Sequence, residues 1–177
     1  MPLTNNTPLH EFVILVDDQN NEIGVMEKQE AHEKALLHRA FSVFIFNDKG
    51  ELLLQQRALT KYHSAGLWTN TCCSHPRVGE QTKDAAKRRL REEMGIEVEL
   101  TERFSFIYKA PFSNGLTEHE LDFVYTGTSN QHPIINREEV HAYNWLPLEK
   151  VQEDVVLNPN DYTVWFKIIL AKYMNTL

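Results

Sequence analysis

Glu80-Gln81-Thr82-Lys83-Asp84-Ala85-Ala86-Lys87-Arg88-Arg89-Leu90-Arg91-Glu92-Glu93-Met94-Gly95-Ile96 carries the marks of one helix with both ends written into it. Thr82 is suited to cap the amino end. Gly95 is suited to stop the helix after Met94. Ala86, Leu90 and Met94 recur at i, i+4 and i+8, so they predict a single inward stripe. Arg88 with Glu92 and Arg89 with Glu93 stand four residues apart, and as a solvated face such pairs would each stabilise the helix by only about 0.2–0.5 kcal/mol. Lys83, Lys87, Arg88, Arg89 and Arg91 gather positive charge in a chain whose formal net charge is −7. The overall balance argues against a nucleic-acid binder working by bulk electrostatics. The local cluster suits a small anion such as a phosphate ester.

Outward from this helix the pattern is mostly strand. Residues 12–16 form a β-rich run closed by the turn Asp17-Asp18-Gln19-Asn20-Asn21, and 23–26 can pair back on them. Residues 41–46 are a strongly apolar strand, and Asn47-Asp48-Lys49-Gly50 turns the chain into a partner at 52–56. Further strands are predicted at 97–100, 104–108, 120–125 and 143–145, and a closing helix over 162–174. Strands on both sides of a central helix, joined mainly by short connections, indicate an α+β sandwich around a mixed sheet.

At 177 residues the chain fits one domain, 1–177, with 1–10 as a flexible tail. Hydrophobic and charged fractions of 42% and 24% are those of an ordinary soluble globular protein. No apolar run is long enough to span a bilayer, and the polar start of the chain lacks the basic and apolar regions of a signal peptide. The two cysteines, Cys72 and Cys73, are adjacent, where a disulfide would be strained and would constrain almost no unfolded chain. Free thiols fit a reducing compartment, so a cytoplasmic protein is expected. Nothing demands an oligomer, and a monomer is expected.

Chemistry concentrates in two places. In Asn70-Thr71-Cys72-Cys73-Ser74-His75-Pro76, Cys73 and His75 are two apart and point to one side of an extended segment, while Cys72 points to the other and packs as a small hydrophobe. Glu118 and Glu120 likewise share one side of a strand, with His119 on the opposite side. Two carboxylates so placed repel unless a metal, a proton or a cation lies between them. With His32, His38 and His75 as further donors they would suit a divalent transition metal such as zinc or manganese. On spacing alone, solvated carboxylates and scattered histidines are the favoured account of the pattern.

The helix stretch resembles the Nudix box, Gly-x5-Glu-x7-Arg-Glu-U-x-Glu-Glu-x-Gly-U with U apolar, matching it at Glu80, Arg88, Leu90, Glu92, Glu93, Gly95 and Ile96. Two positions depart: Ser74 stands for the opening Gly, and Arg89 for the Glu after the Arg. That Glu belongs to the metal-binding group of Nudix hydrolases, and a guanidinium in its place removes a ligand and supplies a phosphate clamp. The resemblance therefore implies a Nudix-like α/β/α sandwich that holds a diphosphate without cleaving it efficiently.

Leu37-His38-Arg39-Ala40-Phe41-Ser42, Leu54-Gln55-Gln56-Arg57, the run from Trp68 to Pro76 and Glu118-His119-Glu120 are together similar to the type I isopentenyl diphosphate isomerase family, in the right order from about Glu11 to Trp165-Phe166-Lys167. The resemblance implies conversion of isopentenyl to dimethylallyl diphosphate, a small-molecule substrate, by protonation at the terminal carbon and loss of a proton from C2. It implies Cys73 and Glu120 as the proton-transfer groups on opposite faces of the substrate, Tyr108 beside the carboxylate, and Trp165 as the π face against the cationic centre. The implied metal ligands are His32, His38, His75, Glu118 and Glu120, for manganese, zinc or magnesium. Glu93 and the Cys73 carbonyl would hold a magnesium ion on the diphosphate, and Lys28, Arg57, Lys61 and Arg89 would grip its phosphates. No flavin or nicotinamide fingerprint is evident. Two other readings stand beside this one. A Nudix pyrophosphohydrolase is favoured by Glu92-Glu93 but opposed by Arg89 and Cys73, and a non-catalytic metal-stabilised domain is opposed by the basic residues and Trp165.

Overall fold

β3 (His38–Phe46) is buried along almost its whole length, as its mainly apolar stretch Ala40–Phe46, interrupted by Ser42, requires of a strand covered on both faces. In the computed structural model, which describes residues 11–177, it is the axis of the molecule. The expected tail, 1–10, lies outside the described residues. On one side β3 pairs in parallel with β8 (Thr117–Thr128), His38 opposite Glu120 through Phe46 opposite Thr128. β8 pairs in antiparallel fashion with β7 (Thr101–Pro111). β1 (Phe12–Val16) and β2 (Glu22–Glu27) form an antiparallel ribbon joined to β3 at Leu15–His38. The sheet is therefore mixed.

β3 and β4 (Glu51–Arg57) leave a tight turn but pair only at Phe46–Leu52, and then splay apart. Two short strands fill the wedge. β5 (Trp68–Thr69) pairs with β4, and β6 (Cys72–Ser74) pairs with β3. Thr71 stitches across the split: its hydroxyl accepts from Ile45 N at 2.9 Å and donates to Leu53 O at 2.7 Å. β9 (Val140–Pro147) pairs with the other edge of β4.

Strand alternation divides the core into two layers. Phe41, Val43, Ile45 and Leu53 face α2 (Thr82–Met94) and meet Ala85, Ala86, Leu90 and Met94. Phe44, Leu52 and Leu54 face the other way, against Val151 of α3 (Leu148–Leu157) and Trp165, Phe166, Ile169 and Leu170 of α4 (Val164–Tyr173). This is the expected α/β/α sandwich, with the predicted Ala86-Leu90-Met94 stripe fully buried. Burial of each such side chain contributes about 1.5–3 kcal/mol for the larger residues. Gly95 ends α2 at φ 66°, and a Cβ there would lie 2.9 Å from Ile134, so both backbone and space demand glycine.

Three expectations are corrected. Gln81 rather than Thr82 is the cap of α2, in extended conformation, because the Arg77–Glu80 turn brings the chain in one residue earlier. The 97–100 segment is not a strand: the Gln131 side chain occupies Glu97's backbone N–H and C=O, leaving no ladder to join. Two helices were not anticipated, α3 and the six-residue α1 (Lys28–Glu33), whose cap is Glu27, a carboxylate accepting from Gln29 N and Glu30 N.

Candidate active site

A cavity of about 350 Å³ opens where the wedge strands, α1, α2, β7, β8 and α4 converge. Local backbone devices bring four donors together, of which His75 and Glu120 line the cavity while His32 and His38 are fully buried. Just past α1, Ala35 takes a left-handed φ of 54°, and the following Leu36 carbonyl receives the Nδ1 of His38 at 2.8 Å. His32 comes from α1, His75 follows β6, and Glu120 lies opposite His38 in the parallel register. Donor atoms of His32, His38, His75 and Glu120 lie within 4.8 Å of one another. Glu120 Oε1 is 2.9 Å from His75 Nε2, 3.3 Å from His38 Nε2 and 3.9 Å from His32 Nε2.

Burial opposes charge throughout this group, yet Glu120 remains ionised, its pKa well below the usual carboxylate range, because three imidazoles surround it. Burial pushes His75 down to about 4, so its ring is neutral at physiological pH. In His38 burial is outweighed by the adjacent Glu120 carboxylate, and the pKa rises. His32 Nε2 and His38 Nε2 are buried without a hydrogen-bond partner among the described residues. Buried nitrogens are seldom left so. Three inward nitrogens and one carboxylate oxygen form a donor set suited to a divalent transition metal, so the residues fit such an ion.

Glu118 stands just outside this group. Its Oε2 accepts from the Tyr108 hydroxyl at 2.7 Å, and its Oε1 lies 3.0 Å from His63 Nε2. Tyr108 Oη is also 2.7 Å from Glu120 Oε2. Burial and the two carboxylates keep this phenol protonated. One hydroxyl hydrogen cannot serve both oxygens fully, so the pair calls for a cation or a further proton nearby.

Cys73 and Cys72 separate as their alternation demands. Cys72 is fully buried in the layer under α2, whereas Cys73 lines the cavity. Burial raises the Cys73 thiol, against the pull of the Arg57 guanidinium, so it is an S–H at neutral pH. A nucleophile would need the opposite shift. Trp165 also lines the cavity, with the Arg57 guanidinium 5.4 Å from its ring. Asn70 fixes that ring relative to the thiol: its Oδ1 accepts from Trp165 Nε1 at 3.2 Å, and its Nδ2 donates to Cys72 O at 2.8 Å.

Lys28, Arg57, Lys61 and Arg89 all line the same cavity. Arg89 reaches Glu93 Oε1 at 2.6 Å and Glu92 Oε2 at 2.8 Å. Glu139, which the sequence did not single out, pairs with Lys61 and lies 3.3 Å from Arg89. Gln55 holds the other Glu93 oxygen at 2.9 Å. Glu80 and Arg88 brace the start of α2 with two bonds of 2.7 and 2.9 Å. Of the site residues expected from the sequence, all but His32 and His38 line one cavity; those two are fully buried and meet Glu120, and Glu118 stands beside rather than within the four-donor group.

The NUDIX domain model matches residues 36–166. An isopentenyl-diphosphate Delta-isomerase of Photorhabdus laumondii is 52% identical over 162 residues, 92% of each chain. One from Pectobacterium atrosepticum is 49% identical over 172 residues, 97% of this chain and 92% of the relative. The chain belongs to the isopentenyl-diphosphate Delta-isomerase family. The crystal structure of DR0079 from Deinococcus radiodurans shares the fold, with a TM-score of 0.75 at 20% identity over 92% of this chain and 99% of that one. Within this isomerase family the chain has a Nudix helix whose carboxylates are crossed by Arg89.

His63 and Tyr62 also line the cavity and escaped sequence reading. They sit in a loop without periodicity, and an isolated histidine there carries no spacing signal.

Proposed function

We propose that this chain isomerises isopentenyl diphosphate to dimethylallyl diphosphate, a redox-neutral double-bond shift. The observation that supports this most is the sharing of one cavity by a protonated thiol, an ionised carboxylate, an indole and four basic side chains.

An alkene is a very weak base, so the reaction needs a placed acid, a base across from it and exclusion of water. Cys73 presents S–H and Glu120 a carboxylate, and they exchange protons with the substrate on its opposite faces. Tyr108, within 2.7 Å of Glu120, orients that carboxylate and can relay its proton. Trp165 offers its π face to the tertiary cationic centre, an attraction worth about 2 kcal/mol or more when desolvated. Lys28, Arg57, Lys61 and Arg89 grip the diphosphate. Glu93 and the Cys73 carbonyl would hold magnesium against it. His32, His38, His75 and Glu120 would hold a zinc, manganese or magnesium ion, and Glu118 is the nearest further carboxylate to join them. When bound, that ion would fix Glu120 and tune its acidity. Two free thiols fit work in a reducing compartment, the cytoplasm.

Incubation with isopentenyl diphosphate and a divalent metal tests this reading. Dimethylallyl diphosphate should form without release of phosphate, and deuterium from solvent should enter substrate carbon. Release of phosphate with no isomer formed would instead indicate a pyrophosphohydrolase.

A further inference from the structure

Tyr62 and His63, in the loop after β4, have no part in the roles above, yet each touches an expected metal ligand. Tyr62 Oη lies 2.7 Å from His32 Nδ1, and its ring is stacked on His32 with centroids 5.9 Å apart. His63 is 8% exposed. Its Nε2 is 3.0 Å from Glu118 Oε1, its Nδ1 is 3.2 Å from Ser64 Oγ, and its ring stacks on Phe112 at 4.8 Å.

An imidazole that ligates a metal offers its lone pair on one nitrogen and carries hydrogen on the other, which then needs an acceptor. For His38 that acceptor is the Leu36 carbonyl. For His32, whose Nε2 faces Glu120, it is the Tyr62 oxygen. With hydrogen on Nε2, His63 donates to Glu118 and accepts from Ser64, so both its nitrogens are satisfied. Glu118 is then held on both oxygens, by His63 and Tyr108. The loop is itself anchored: Asn114 donates to Tyr62 O at 3.1 Å, and Arg57 donates to His63 O at 3.2 Å.

We propose that Tyr62 and His63 are positioning residues, an outer collar that aims His32 and Glu118 and thereby sets the affinity of the metal centre. This rests on the metal-centre reading given above. The collar joins that centre to the diphosphate grip, because Arg57 both lines the cavity and carries the His63 carbonyl.

Zinc affinity, measured by competition with a chelator, should fall about 10–100-fold in Tyr62→Phe and in His63→Ala, the range seen for outer partners of metal ligands. His63→Gln, whose amide can still donate to Glu118, should recover most of the loss. The affinity for inorganic diphosphate with magnesium should stay at the parental value. Zinc affinities within twofold of the parent in both variants would overturn the proposal, as would an equal loss of diphosphate binding. Zinc uptake by the parent without turnover of isopentenyl diphosphate defeats the isomerase reading, while the variant affinities still decide the collar. A parent that takes up no zinc defeats the metal centre and the collar together.

Discussion

Arg89 lies across Glu93, 2.6 Å from its Oε1, at the helix position where this chain departs from the carboxylate of the Nudix pattern. Glu92 and Glu139 converge on the same guanidinium, at 2.8 and 3.3 Å. The helix therefore balances its own acidic cluster with a built-in cation and leaves the guanidinium facing the cavity. Arg89→Glu would place a fourth carboxylate among three. The metal-free protein should lose about 3 kcal/mol of stability, and millimolar magnesium should restore part of it. Thermal unfolding with and without magnesium checks this, and isomerase turnover should fall at least 100-fold.

The two cysteines should respond differently. Cys73→Ala removes the proposed acid–base group and should lower kcat by about 10²–10⁴-fold. Cys72→Ala trims a fully buried side chain, so it should cost about 1 kcal/mol of stability and spare most of the activity. Steady-state kinetics beside denaturant unfolding separate the two effects. Near-normal turnover in Cys73→Ala would sink the acid–base assignment.

Tyr108→Phe keeps the ring and deletes the hydroxyl that meets Glu118 and Glu120. Two buried carboxylates then lose a shared donor. We expect kcat to drop about 10–100-fold with KM changed by less than threefold, since the proposed proton-transfer group loses its orientation while the proposed diphosphate grip is untouched. Solvent deuterium incorporation should slow in proportion.

Glu80 supplies a pH test away from the cavity floor. Burial alone would raise its pKa, but the paired bonds from Arg88 outweigh this and hold it below the usual carboxylate value. A depressed pKa gives stability that is complete above the unfolded value, about 4.3, and is lost as pH falls through the folded one. At pH 7, Glu80→Gln should therefore be less stable than the parent by roughly 1 kcal/mol, and the gap should close below about pH 4. A gap that stays constant down to pH 3 would show that the charge plays no part.

Much of this site was legible because its residues lie on regular elements. Period-two alternation separated Cys72 from Cys73 and set Glu118 and Glu120 together, and the 3.6-residue period placed Leu90 inside and Arg89 beside Glu93. What the sequence hid lies in loops or depends on tertiary context. Tyr62 and His63 have no period. Glu139 gains meaning only from Lys61 and Arg89, far away in the chain. The 97–100 segment alternates like a strand, and only the Gln131 amide, 34 residues on from Glu97, keeps it from being one.

The parallel register of β3 with β8 has a consequence for how the molecule matures. His38 and Glu120 face each other only when two strands more than 80 residues apart have docked correctly. A slip of one residue would turn Glu120 away from the histidines. A growing chain thus has no complete four-donor group until its second half has been made and paired. Capture of metal would mark the end of folding rather than its start, and metal content would serve as a direct count of correctly assembled molecules.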